Sequence, residues 1–95
     1  MTGSTRSSDG LDARRRRMLF RAWHRGIKEM DLIMGRFSDA HIADLADSEL
    51  DEFERLMELR DQEILSWIDG TAEVPPNYDT PLFRRLRDFN HRVER

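Results

Sequence analysis

Hydrophobic residues recur every three or four positions along most of the chain, and no stretch of strand length alternates convincingly between apolar and polar residues. This spacing predicts five helices of about ten residues each, which at such a length are not stable alone in water. We therefore expect an all-α fold, a compact five-helix bundle of short helices. Residues 1–10 are expected to form a disordered tail, and residues 11–95 a single helical domain.

Two hydrophobic stripes lie on either side of Gly26 and predict the first two helices. The glycine itself can end the first helix in a left-handed conformation or let two helices meet at a sharp angle. The first stripe runs up to about His24 and consists of Leu11, Met18, Leu19, Ala22 and Trp23. The second consists of Ile27, Met30, Ile33 or Met34, and Phe37, and Ile42 and Leu45 extend it past a weak point at Ser38–Asp39.

The stretch LADSELDEF predicts the start of a third helix, with Asp47 or Ser48 as its N-cap and acidic residues in its first turn. Asp61 is expected to act as a further cap or break, and Gly70 to end a short fourth helix. The third stripe consists of Leu50, Phe53, and Leu56 or Met57, and the fourth of Ile64, Leu65, Trp67 and Ile68. We expect the aromatic residues Phe53 and Trp67 to belong to the core.

The segment TAEVPPNYD is a clear loop, because two successive prolines cannot lie inside a helix. Thr80 and Pro81 follow it and predict an N-cap with proline at the first helical position. The stripe of this fifth helix is formed by Leu82, Leu86, Phe89 and Val93.

The composition excludes several classes of protein. The 95 residues include no cysteine, which rules out disulfides, thiolate chemistry and metal–sulfur sites. No apolar run approaches the roughly 18 residues that cross a membrane, so no membrane insertion is expected. The start, MTGSTRSSDG, lacks the apolar segment of a secretory signal, and the acidic residues Asp9 and Asp12 argue against a mitochondrial presequence. We expect a cytoplasmic protein of a bacterium.

Charge is distributed unevenly along the chain. The net charge is +5 over residues 1–37, −11 over 38–79 and +3 over 80–95. The simpler interpretation, which we favour, is that the basic ends fold back onto the acidic middle. The alternative is that two faces of opposite sign meet different partners.

A search for reaction chemistry finds no catalytic or metal-binding constellation. The three histidines are far apart in sequence, no phosphate-binding or metal-binding motif is present, and the acidic residues of 47–63 have the spacing of a solvated helix face. The four arginines 14–17 would point to all sides of a helix, and the acidic middle would repel a duplex. We therefore expect neither an enzyme nor a nucleic-acid-binding protein, and no cofactor or metal held by this chain.

The stretch HRGIKEMD allows two interpretations. Glu29 can be helix-terminus chemistry alone, since a carboxylate in a first helical turn contributes about 0.3–1 kcal/mol. Alternatively, Arg25, Lys28 and Glu29 crowd a convex junction at which Gly26 lets another backbone approach closely. From the residues alone, the helix-terminus interpretation is favoured.

The segments RGIKEMDLIMGRF and LADSELDEFERLMELRDQEILSWIDG together resemble the SdhE-type flavinylation factors, small assembly factors of succinate dehydrogenase in bacteria and mitochondria. The resemblance covers about residues 12–70, and Ile27 stands where that family often has methionine. The R-G-x-x-E motif of the family is matched by Arg25, Gly26 and Glu29, followed by Asp31. Its second block is matched by Leu45, Glu49, Leu50, Phe53, Leu56, Asp61 and Trp67.

This resemblance implies a five-helix bundle that is not itself an enzyme. It implies a protein that binds the flavoprotein subunit of succinate dehydrogenase, and in some bacteria of fumarate reductase, and promotes covalent attachment of FAD to that subunit. The FAD then belongs to the partner. The implied partner-binding residues are Arg25, Gly26, Lys28, Glu29 and Asp31. The alternative function is that of an antitoxin-like or nucleic-acid-associated small helical regulatory protein.

Overall fold

The computed structural model describes residues 10–93, without the side chain of Val93, and it is all-α over that range. Five α-helices are present, which confirms the predicted fold class and helix count: α1 Ala13–Ala22, α2 Lys28–His41, α3 Asp47–Met57, α4 Asp61–Ile68 and α5 Pro81–Val93. Two short 3-10 helices, Ile42–Asp44 and Pro76–Tyr78, complete the secondary structure. The tail expected over residues 1–10 lies outside the described residues except for Gly10.

Contacts divide the chain into two units, Met1–Leu45 and Ala46–Arg95. The single domain that we expected over residues 11–95 therefore stays a prediction. Within residues 10–93, no helix combines the length and the hydrophobicity that crossing a membrane requires.

The first unit is built from α1, α2 and the 3-10 helix that follows them. The predicted stripes are buried, with one exception. Ile27 is 43% exposed, because it precedes α2 in extended conformation and so does not share the helical face of Met30. The expected weak point at Ser38–Asp39 is also wrong: α2 runs through it to His41, and Ser38 is buried.

Arg15 fastens α1 to the end of the first unit. Its guanidinium donates to the carbonyl oxygen of Ile42 at 2.9 Å and to that of Leu45. It also pairs with Asp12 at 2.8 Å, and this hydrogen bond lowers the pKa of the Asp12 carboxyl below its ordinary value. Arg16 donates to the carbonyl oxygen of Leu11. The neighbouring arginines thus point in different directions, as the sequence predicted.

The second unit contains α3, α4 and α5. The stripe of α3 is buried at all four positions, including both Leu56 and Met57. The predicted cap is wrong, because α3 already begins at Asp47 and its N-cap is Ala46. The Glu49 carboxylate reaches back and accepts from the Ala46 backbone N–H at 2.8 Å, which satisfies one free donor of the first turn.

The ends of α4 and the start of α5 largely follow the sequence. Asp61 is the first residue of α4 rather than its cap, although the break before it is real. Gly70 follows α4 with a φ of +82°, the left-handed conformation that was expected to end this helix. The Thr80 hydroxyl accepts from the Phe83 N–H at 3.1 Å, which confirms the predicted cap of α5. The loop between them includes the short 3-10 helix at Pro76–Tyr78.

The core of the second unit is rich in aromatic residues. Phe53 is fully buried and Trp67 nearly so, as predicted, whereas Phe89 is only half-buried. The Trp67 ring stacks on Tyr78 at 5.5 Å between centroids and meets the edge of Phe83 at 6.1 Å. Sequence analysis missed Phe83, which is fully buried beside Leu82 on the apolar side of α5.

Ion pairs within the second unit support the simpler interpretation of the charge pattern at the C-terminal end. Arg85 of α5 pairs with Glu49 of α3 at 2.7 Å. Arg84 pairs with Asp79 at 2.9 Å and thereby lowers the pKa of that carboxyl. Basic residues of α5 thus fold back onto the acidic middle of the chain.

Candidate partner-binding site

The candidate site lies where α1 gives way to α2. We define the corner as residues 23–27 together with the first turn of α2, Lys28–Asp31. α1 ends at Ala22, four residues before Gly26. The His24 N–H donates to the Arg21 carbonyl, three residues back rather than four, so the α-helical hydrogen-bond pattern stops there. Gly26 therefore does not end α1, as one interpretation expected. It lies in the connection between α1 and α2 and changes the direction of the chain there.

Gly26 has a φ of +117°, which L-amino acids with a side chain rarely adopt. The residue is exposed, and a Cβ added to it would meet no other atom within 4 Å. Glycine is therefore required by the backbone conformation and not by crowding within this chain. The space in front of it is open to another molecule.

Asp31 stabilises the backbone of the corner through hydrogen bonds. Its carboxylate accepts from the Arg25 backbone N–H at 2.6 Å, and its own N–H donates to the Ile27 carbonyl at 3.0 Å. The side chain is half-buried. The structure therefore gives Asp31 a positioning role for the segment that contains Gly26.

The other charged residues predicted to bind the partner, Arg25, Lys28 and Glu29, also lie in the corner. Lys28 and Glu29 are exposed in the first turn of α2, and Arg25 is half-buried just before it. Glu29 lies where a carboxylate is favoured by the helix dipole. Within residues 10–93, no group of three or more histidine, aspartate or glutamate side chains could hold a metal ion.

The sequence analysis did not predict the contact between Trp23 and Gly35, which supports the corner. A Cβ added to Gly35 in α2 would lie 2.3 Å from a ring carbon of Trp23, so the glycine lets the indole lie directly on the helix backbone. The Trp23 Nε1–H donates to the Asp39 carboxylate at 3.1 Å. A glycine inside an otherwise good helical pattern was the available signal, since it costs about 1 kcal/mol relative to alanine and needs a packing reason.

Comparison with known proteins decides the family. The family model Sdh5, described as flavinator of succinate dehydrogenase, matches residues 16–90 and thus most of the chain. The chain belongs to this flavinator family. The resemblance inferred from the R-G-x-x-E motif and the second block is confirmed, and the comparisons do not support the antitoxin-like alternative.

Curated relatives agree with the flavinator family. The chain is 39% identical over 80 residues to the FAD assembly factor SdhE of Acetobacter pasteurianus, covering 84% of this chain and 73% of that protein. It is 36% identical over 88 residues to the mitochondrial succinate dehydrogenase assembly factor 2 of Meyerozyma guilliermondii. That match covers 92% of this chain and 57% of the relative, and the corresponding protein of Candida glabrata is 29% identical with 95% and 61% covered. No solved structure matches the chain significantly.

In this member of the flavinator family we expect Gly35→Ala to destabilise the first unit. Forcing a methyl group against the Trp23 ring costs about 1–3 kcal/mol, more than the roughly 1 kcal/mol that alanine gains inside a helix. Urea unfolding measures the loss. The control is Gly35→Ala combined with Trp23→Leu: the cost of the alanine should shrink when the ring is removed. An equal cost in both backgrounds would contradict the contact.

One further feature near the corner was not predicted. Phe20 of α1 is 63% exposed, and its ring stacks on His24 with centroids 3.9 Å apart. Phe20 does not belong to the first stripe, and the signal available in the sequence is an aromatic residue on the outward side of a helix. His24 belongs to the corner, so this aromatic pair joins the outward side of α1 to the corner.

Proposed function

We propose that this protein binds the flavoprotein subunit of succinate dehydrogenase and promotes covalent attachment of FAD to that subunit. The observation that carries the proposal is the family match over residues 16–90. The corner supplies a surface that suits a protein partner, because Gly26 leaves open space beside two exposed charged residues, Lys28 and Glu29.

In this proposal the covalent bond forms within the partner, and this chain acts as a binding protein rather than an enzyme. FAD is the partner's cofactor and is not held here. The contribution of this chain is to hold the partner's domains so that the flavin and the histidine that receives it are in attack geometry. Positioning of this kind can lower a barrier by several kcal/mol, up to about 7–11 in well-oriented intramolecular reactions.

The corner residues have two kinds of role in this proposal. Arg25, Lys28 and Glu29 contact the partner, and Gly26 permits close approach of the partner's backbone. Asp31 acts through the others, since its hydrogen bond to the Arg25 N–H holds the connection in place. A guanidinium such as that of Arg25 is suited to a bidentate contact with a carboxylate of the partner.

Two narrower expectations remain part of the proposal. The flavoprotein subunit of fumarate reductase is a second candidate partner. A cytoplasmic location in a bacterium fits the bacterial relative, whose name lacks the mitochondrial label of the eukaryotic ones.

Deletion of the gene is the direct test of this function. We expect the succinate dehydrogenase flavoprotein subunit of the deletion strain to lose the flavin fluorescence that covalent FAD gives in a denaturing gel. A plasmid copy of the wild-type gene should restore it. Undiminished fluorescence in the deletion strain, with normal amounts of the subunit, would contradict the proposal.

We expect association with the flavoprotein to be assisted by charge. Residues 1–37 carry a net charge of +5 and residues 38–79 one of −11, and such fields steer encounter in a salt-dependent way. Raising salt from about 50 to 500 mM should slow association more than it speeds dissociation, because the Debye length falls well below 10 Å. Stopped-flow or biosensor kinetics would measure both rates. An association rate that does not change with salt would contradict this expectation.

A further inference from the structure

The outward side of α1 presents an aromatic pair in a fixed arrangement. The rings of Phe20 and His24 stack at 3.9 Å with an angle of 18° between their planes. The Nδ1–H of His24 donates to the Phe20 carbonyl at 2.6 Å, which holds the imidazole against the phenyl ring. Among the described residues, Phe20 and Ile27 are the large hydrophobic side chains that are exposed, and Phe20 is the more exposed of the two.

Arginines surround this pair. Arg16, Arg17 and Arg21 line an open groove of about 390 Å³ together with Phe20, from which they are four, three and one residues away in sequence. Residues three and four apart are neighbours on a helix surface. The stems of arginine are apolar and its heads are cationic, so the groove has apolar walls and a positive rim. α1 contains five arginines and no acidic residue of its own.

We propose that this α1 face, defined as Arg16, Arg17, Phe20, Arg21 and His24, is a second contact surface for the flavoprotein subunit. It takes an apolar side chain of the partner that is flanked by carboxylates. The inference rests on the proposed function and adds a surface to it outside the R-G-x-x-E motif.

Two observations favour a protein partner of this chemistry. Aromatic residues, phenylalanine included, and arginine are enriched at protein interfaces relative to the rest of the protein surface. The face also continues into the corner, since His24 adjoins Arg25 in the chain and stacks on Phe20. A partner seated on the corner therefore reaches an aromatic surface whose positive rim complements carboxylates.

A duplex nucleic acid fits the same residues less well. Arg15, in the middle of the arginine run, is directed to the carbonyls of Ile42 and Leu45. The arginine run therefore does not form a continuous row for phosphates. A second copy of this chain could also bring its acidic middle to the face, and the experiment below separates that outcome from the proposed one.

Photocrosslinking identifies the occupant directly. Phe20→p-benzoylphenylalanine is irradiated with the purified flavoprotein subunit, alone, or with a labelled DNA duplex, and Arg60→p-benzoylphenylalanine is the control at an exposed position of the second unit. We expect a crosslink to the flavoprotein from position 20 and none from position 60. Crosslinking of position 20 to a second copy or to DNA in preference to the flavoprotein, or equal yields at the two positions, would overturn the proposal.

Affinity measurements then test the chemistry. Phe20→Gln should raise the Kd for the flavoprotein at least tenfold, mainly through faster dissociation. Arg17→Glu should slow association several-fold at about 50 mM salt and much less at 500 mM, whereas Arg60→Glu makes the same charge change and should leave the association rate within about twofold. Circular dichroism confirms that each variant is folded.

The outcomes separate this inference from the function on which it rests. If the wild-type protein does not bind the flavoprotein, both fall. If the wild type binds and Glu29→Ala weakens binding while Phe20→Gln and Arg17→Glu bind as the wild type does, the corner stands and the α1 face is wrong.

Discussion

Replacing Gly26 by arginine should abolish covalent FAD attachment to the partner while leaving most of the protein folded. The φ of +117° at this position is strained for any residue with a side chain, at a cost of about 1–3 kcal/mol. The arginine would also fill the open space through which we propose that the partner's backbone approaches. The measurement is covalent FAD on the flavoprotein subunit in cells that express each variant at matched levels.

Two matched variants separate strain from blocked approach. Gly26→Ala introduces the same backbone strain with little bulk, so it should retain more flavinylation than Gly26→Arg. Gly70→Arg places the same side chain at another exposed glycine with positive φ, +82°, and with no atom within 4 Å of an added Cβ. It should lose a similar amount of stability and still support flavinylation. If Gly70→Arg and Gly26→Arg lose flavinylation equally, the loss is explained by lower stability and not by blocked approach of the partner.

Substitution of the charged residues of the corner should reduce flavinylation far more than stability, unlike substitution of residues that only stabilise a helix terminus. Glu29→Ala loses only about 0.3–1 kcal/mol of stability through the helix dipole, yet we expect it to weaken flavinylation clearly. Arg25→Ala should act in the same direction, since a lost bidentate contact at an interface can cost about 2 kcal/mol or more. If these variants and Gly26→Arg are all soluble, helical and fully active, the corner is structural only and the site assignment is wrong.

The sequence predicted the elements of the fold well because short helices are specified by local signals. The cap of α5 at Thr80 and the left-handed Gly70 follow from the preferences of single residues for single backbone conformations. The start of α3 was missed by one residue: Ala46 is the N-cap although its side chain cannot accept a hydrogen bond, and the Glu49 carboxylate accepts from the Ala46 N–H. A shift of one residue at the start of a helix depends on which nearby side chain forms the hydrogen bond to the free backbone N–H groups.

Some features of the corner could not be predicted from local sequence signals. The positive φ of Gly26 could be expected from glycine alone, but the tight packing of Trp23, just after α1, on Gly35 of α2 depends on how α1 and α2 cross. The exposure of Ile27 likewise depends on where α2 begins. Periodicity places a residue on a face, but it does not say which backbone that face meets.

Phe53→Ala should destabilise the protein far more than Phe20→Ala, although the two substitutions are chemically identical. Phe53 is fully buried, whereas Phe20 is 63% exposed. Deleting a buried phenyl ring costs about 3–5 kcal/mol through lost transfer energy and an unfilled cavity. An exposed site usually changes stability by no more than about 0.5 kcal/mol. Thermal unfolding followed by circular dichroism compares them, and both variants keep both tryptophans as optical reporters.

For a protein of this size, 1 kcal/mol corresponds to about 4–8 °C in Tm, so Phe53→Ala should lower the Tm by more than about 12 °C. Trp67→Ala should be comparably severe, because it also removes the ring contacts with Tyr78 and Phe83. A total stability near the lower end of about 5–15 kcal/mol leaves either variant largely unfolded in a cell. An unchanged Tm for Phe53→Ala or Trp67→Ala would contradict the core assignment. A Tm drop for Phe20→Ala as large as that for Phe53→Ala would show instead that the α1 face is packed within the protein.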